Sequence, residues 1–87
     1  MNRVLEIKNN YVILEEEQYI RLYSYRTYIG QYNYETKKLE ISGRYWDYSN
    51  TTLKHVKNFI DYYTNFEYKT KKAFEKLIEN DENIEVF

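Results

Sequence analysis

The hydrophobic period of this chain changes once, just past residue 46, and that change restricts the folds open to it. Up to that point apolar side chains alternate. "VLEIK" (4–8), "YVILE" (11–15), "YIRLYSYRTYIGQYNY" (19–34) and "LEISGRYW" (39–46) read as strands. Asn9-Asn10 and two polar segments, 15–18 and 35–38, supply the turns. The run 19–34 is either one bent strand with Gly30 at a bulge or two strands broken near Arg26-Thr27. Beyond residue 46 the spacing becomes helical. Leu53, Val56, Phe59, Ile60 and Tyr63 share one face of a helix, and Ala73, Phe74, Leu77 and Ile78 share one face of a second helix over about 69–80. Ser49 is placed to cap the first helix, with Asn50 competing, and Thr64-Asn65 ends it. The tail 84–87 reads as frayed or as a short edge strand.

Strands first and helices second predict an α+β fold, an antiparallel β-meander of about four strands followed by two helices packed on one sheet face. Eighty-seven residues make one domain, with the sheet over 1–46 and the helices over 49–80. A chain this short buries only about 60–65% of its unfolded surface. Cysteine is absent, so no disulfide staples the core. Neither an 18-residue apolar run nor a basic-then-apolar leader is visible, and the expectation is a soluble, cytoplasmic protein without a membrane partner.

Twelve tyrosines stand beside no proline and two glycines. Tyrosine must therefore fill part of the core and line part of the surface. The alternation shows where. Ile20, Leu22 and Ser24 point one way; Tyr19, Arg21, Tyr23 and Tyr25 point the other. Leu39, Ile41, Gly43 and Tyr45 oppose Glu40, Ser42, Arg44 and Trp46, while Tyr28, Tyr32 and Tyr34 share a parity with Arg26. With the aliphatic side against the helices, the other face carries tyrosine and arginine, the residues enriched at binding hot spots. Tyr23, Tyr25, Tyr28, Tyr32, Arg44 and Trp46 are the expected contact residues, and Lys54 and His55 a secondary pair.

The same inventory is poor in catalytic groups. His55 is the single histidine, and no second His or Cys stands at metal-ligand spacing. Asp47, Ser49 and His55 are close in sequence, but a triad is a geometry, and capping explains Ser49 and Asp47 more simply. No glycine-rich loop accompanies Ser49, Thr51 and Thr52, so a phosphate-binding P-loop is excluded. The expectation is a protein that is not an enzyme, with no catalytic residue, metal or cofactor. Thirteen basic residues against fourteen acidic ones place direct nucleic-acid binding behind protein binding. Lys69, Lys71, Lys72 and Lys76 form at most a weak phosphate-contacting stripe.

Two segments carry a resemblance. Ser24, Tyr25, Thr27, Ile29 and Gly30, followed by Tyr48, Ser49, Thr51, Thr52, Lys54 and His55, resemble a family of small phage and mobile-element proteins of unknown function. Those pair a Ser-Tyr-x-Thr-x-(Ile/Val)-(Ala/Gly) strand with a Tyr-Ser-x-Thr-Thr-x-(Lys/Arg)-His helix start. Gly30 stands where alanine is usual. The resemblance implies a phage accessory gene in an AT-rich, Gram-positive background. It further implies inhibition of a host defence complex, an anti-CRISPR role foremost, with a host protein or ribonucleoprotein effector as partner. A small nucleic-acid-binding or regulatory protein is the alternative, and a homodimer through the open face is the third reading.

Overall fold

The computed structural model describes residues 2–87. Five strands form a continuous meander: β1 (Arg3–Lys8), β2 (Tyr11–Glu16), β3 (Tyr19–Ser24), β4 (Thr27–Asn33) and β5 (Lys38–Ile41). Two helices follow, α1 (Asn50–Tyr63) and α2 (Lys71–Asn80), and β6 (Ile84–Val86) returns to pair parallel with β5. The sheet order is β1-β2-β3-β4-β5-β6. The fold is thus the expected α+β arrangement. The long run 19–34 is two strands, and the tail is a sheet edge. The strand expected over 39–46 ends at Ile41.

Local chemistry accounts for the joints. Asn10 takes a φ of 61° in the first turn, which its short amide side chain tolerates. The Tyr25-Arg26 turn has φ of 52° and 65°, the pattern of a two-residue hairpin whose twist matches the strands but which prefers Asn-Gly. At the end of β5 the Ser42 hydroxyl accepts the Tyr45 amide at 3.2 Å, and the Ser42 carbonyl accepts Trp46 N–H at 3.1 Å. The chain therefore turns where alternation predicted more strand. Gly43 leaves room for β6 there, since a Cβ would lie 2.7 Å from Val86 Cγ1 and would make that side chain move. Ser49 and Thr70 cap the two helices by accepting Thr52 N–H and Ala73 N–H.

The core lies between the sheet and the helices. Ile13, Leu22, Ile29, Leu39 and Ile41 meet Val56, Phe59 and Ile60 of α1 and Phe74 of α2, all with negligible exposure. A Cβ on Gly30 would approach the Glu40 carbonyl oxygen to 2.3 Å, so alanine there requires the β4–β5 pairing to move.

One irregularity redistributes the tyrosines. Leu22 pairs with Gly30 but Tyr23 pairs with Tyr28, leaving Ile29 as an extra residue in β4. The bulge inverts the parity across it. Tyr28 lies on the open face against Tyr23, with ring centroids 5.6 Å apart. Tyr32 instead enters the core at 3% exposure and donates its hydroxyl to Asn65 Oδ1 at 2.9 Å. A second bulge, at Leu5, turns that residue toward the core and leaves Val4 and Ile7 exposed on the open face.

Candidate functional site

The helices cover one sheet face and leave the other open, and the open face changes character across its width. At the β1–β2 end it is apolar: Val4 and Ile7 pair with Leu14 and Val12. At its centre Arg21 spans three partners. Its guanidinium lies 3.0 Å from Glu16 Oε2, its Nε donates to Gln31 Oε1 at 2.8 Å, and it sits 5.6 Å over the Tyr19 ring. Gln31 in turn donates to Glu40 Oε1 at 3.0 Å. Tyr28 stacks on Phe87 at 5.6 Å, and burial, with help from Glu40, pushes its phenol up to about 12. At the far end Glu85 stands directly opposite Glu40 across the β5–β6 pair. Among the described residues Arg21, the arginine of this face, is already paired, and the last two strands present Glu40 and Glu85 with Lys38 beside them.

A second feature lies at the end of the sheet where β3 turns into β4. A cavity of about 470 Å³ opens beside the first turn of α1. Tyr25, Tyr45 and Tyr48 form its walls and Arg44 stands at its rim. Ile29 closes the floor, and Ser24, Thr27 and Thr52 supply hydroxyls. Arg44 lies 5.2 Å over the Tyr45 ring, and Tyr45 and Tyr48 are 6.0 Å apart. No carboxylate lines this cavity.

Beneath it runs a buried polar chain. Ser24 Oγ and His55 Nδ1 share a hydrogen bond of 2.7 Å; Thr52 Oγ1 lies 3.3 Å from Ser24 Oγ and 3.1 Å from Ser49 Oγ. The His55 ring packs 5.0 Å from Tyr11 and 6.0 Å from Tyr25. Burial alone holds its pKa below the usual imidazole range, so it is neutral at pH 7. Tyr11 keeps a buried hydroxyl with no hydrogen-bond partner; burial, then the nearby charge of Glu6, raises its phenol pKa.

A serine hydroxyl 2.7 Å from an imidazole has the spacing of a nucleophile and base. A third group to orient the imidazole is missing among the described residues, since no carboxylate contacts or perturbs His55. The pair reads as a clasp between β3 and α1.

The expected contact residues separate accordingly. Tyr23 and Tyr28 lie half-buried on the open face, Tyr25 and Arg44 at the cavity, and Lys54 is exposed on α1. Tyr32, Trp46 and His55 are corrections: at 3%, 7% and 9% exposure they belong to the interior. Trp46 sits beyond the end of β5, edge-on to Phe74 at 5.1 Å. His55 falls on the buried stripe with Thr52, Val56 and Phe59, one position around the helix from Lys54. Tyr45, read as an inward strand residue, is a cavity wall.

Asp47, Ser49 and His55 do not form a triad. Asp47 pairs with Lys71 at 3.6 Å and Ser49 caps α1. The two segments that carry the resemblance do converge: Ser24, Tyr25, Thr27 and Ile29 from one, Tyr48 and Thr52 from the other, all line one cavity.

The family model described as "Family of unknown function (DUF8033)" matches residues 2–76. The chain belongs to DUF8033. The matched span includes both sheet faces, the cavity and most of α2. No curated protein and no solved structure matches the chain. Among the described residues no His, Cys, Asp and Glu cluster is placed to hold a metal ion, and no helix is long and apolar enough to cross a membrane.

Proposed function

We propose that this protein is a non-enzymatic binding module, a phage or mobile-element accessory protein that docks on a host defence complex through its open sheet face and inhibits it. An RNA-guided effector is the favoured target. The observation that carries the reading is the uncovered face itself. Half-buried Tyr23 and Tyr28 and exposed Val4 and Ile7 share it with Glu40 and Glu85. Rigid aromatics set in an apolar patch are what a protein hot spot needs. The paired Arg21 and the facing Glu40 and Glu85, against Lys38 alone, disfavour phosphates there and suit a basic protein surface. RNA-guided effectors expose such a surface along the channel that holds their nucleic acid. Occluding that channel would inhibit without any chemistry, in the bacterial cytoplasm.

The test uses tagged protein and a Tyr23→Ala/Tyr28→Ala variant as baits in nuclease-treated lysate of a CRISPR-carrying Gram-positive host. Wild type should retain a defence effector, and purified protein should block target cleavage by it. The variant, with an unchanged circular dichroism spectrum, should do neither. Retention by the folded variant removes the open face from the reading; an effector neither retained nor inhibited by wild type removes the inhibitor.

A further inference from the structure

The helix side carries charges of both signs, and four of its lysines gather at one groove. That groove, about 250 Å³, lies between α1 and the segment leading into α2, with Lys54, Lys57, Lys69 and Lys71 around the Tyr68 ring. Trp46 and Leu53 line the groove, and their chain neighbours Tyr45 and Thr52 line the tyrosine-walled cavity. The two hollows flank the first turn of α1, which contains no acidic residue.

We propose that the tyrosine cavity and the lysine groove together form a binding site for single-stranded nucleic acid, with one base held in the cavity and the flanking phosphates on Arg44 and the lysines. The chemistry matches part by part. A cavity of about 470 Å³ accepts one planar base. Tyr25 and Tyr48, 47% and 73% exposed, offer ring faces for stacking, which accepts any base. The Thr27 hydroxyl is left to meet the polar edge of a base, since those of Ser24 and Thr52 are buried and bonded to His55 and Ser49, and Arg44 beside the cavity is placed for a phosphate. Lys54 and Lys69 make no ion pair among the described residues, while Lys57 and Lys71 are each engaged by an aspartate. The inference does not rest on docking by the open face, which uses different residues.

The test is a titration of purified wild-type protein with a 15-mer oligo-dT, a 15-mer oligo-U and the mononucleotide UMP, followed by amide shifts in NMR spectra and by fluorescence anisotropy of labelled oligomer. Binding should shift amides in 24–29 and 44–54. Tyr48→Ala, at a residue that supports no core, should weaken oligomer binding tenfold or more. Arg44→Ala should weaken it and lower the salt slope by about 0.7. With three free cations engaged, affinity should fall roughly 20-fold between 50 and 200 mM salt. Oligomer binding well above that of UMP identifies a strand; equal binding identifies a free nucleotide as the source of the same chemistry. Absence of shifts in those segments with every probe, or equal affinity in folded Tyr48→Ala, overturns the assignment. Tyr23→Ala/Tyr28→Ala should bind the oligomer normally, which keeps this outcome separate from the open-face test.

Discussion

Replacing Ser24 by alanine tests whether the clasp between β3 and α1 holds the cavity together. Ser24 is 2% exposed, and its hydroxyl is the partner of His55 Nδ1 at 2.7 Å. Alanine removes one oxygen and leaves almost no void, so packing contributes little. Thr52 Oγ1 keeps Ser49 Oγ at 3.1 Å and stays satisfied. One buried group, the His55 nitrogen, is orphaned, and orphaning a buried polar group costs about 1–3 kcal/mol. The expected loss is therefore about 2 kcal/mol, which in a domain this size lowers Tm by about 8–16 °C. The assay is urea unfolding at pH 7.5 followed by far-ultraviolet circular dichroism, on Ser24→Ala, His55→Phe and the double variant. Because Ser24→Ala strands the His55 nitrogen and the double variant has no such orphan, the double variant should lie at least about 1 kcal/mol above the additive expectation. A Ser24→Ala loss below about 0.5 kcal/mol, or additivity of the two changes, would refute the clasp.

Three further outcomes follow from local features. Tyr11→Phe removes a buried hydroxyl whose one polar neighbour is the Glu6 carboxylate, held outside full hydrogen-bond geometry, and should cost no stability in the same urea assay; a loss above about 1 kcal/mol would show that the Glu6 contact is a formed bond. Arg26→Gly relieves a left-handed φ of 65° in the hairpin and should stabilise by about 0.5–1 kcal/mol after the greater freedom of glycine in the unfolded chain is subtracted. The burial-lowered pKa of His55 means that the unfolded chain binds its proton more readily; stability is fully present above the ordinary value of 6.5 and is lost as pH falls from there through the folded value. Urea midpoints between pH 7 and 5.5 should fall in wild type and flatten in His55→Gln.

The fold was legible wherever a single period ran undisturbed. Alternation located β1 to β4 and helical spacing located α1, because each pattern follows from which face is buried. It failed where one residue broke the count. Ile29 continues an ordinary β-branched pattern, yet as a bulge residue it sends Tyr28 outward and Tyr32 inward. Nothing in "TYIGQYN" distinguishes that from unbroken alternation except Gly30. Trp46 and Arg44 were placed on a strand that Ser42 ends by accepting the Tyr45 amide. His55 was placed on the exposed side because the stripe was centred on Leu53 rather than on Thr52. A shift of one position around a helix is about 100°, enough to exchange a surface histidine for a buried one.

The candidate site was illegible for a different reason. Its chemistry depends on pairs far apart in the chain: Ser24 and His55 are separated by 31 positions, and the cavity walls come from β3–β4 and the β5–α1 connection. Proximity in sequence groups Asp47, Ser49 and His55 but makes no triad of them, and the fold assigns them to an ion pair, the cap expected of Ser49 and a core position. Net charge is equally uninformative, because a sum cannot show that four lysines gather at one groove while Glu40 and Glu85 face each other on the open sheet face. That separation gives the two surfaces opposite sensitivities. Neutralising Glu40 and Glu85 should weaken a basic protein partner and leave an oligonucleotide untouched, whereas neutralising Lys54 and Lys69 should do the reverse. A protein with one binding surface would lose both ligands, or neither, to either pair of changes.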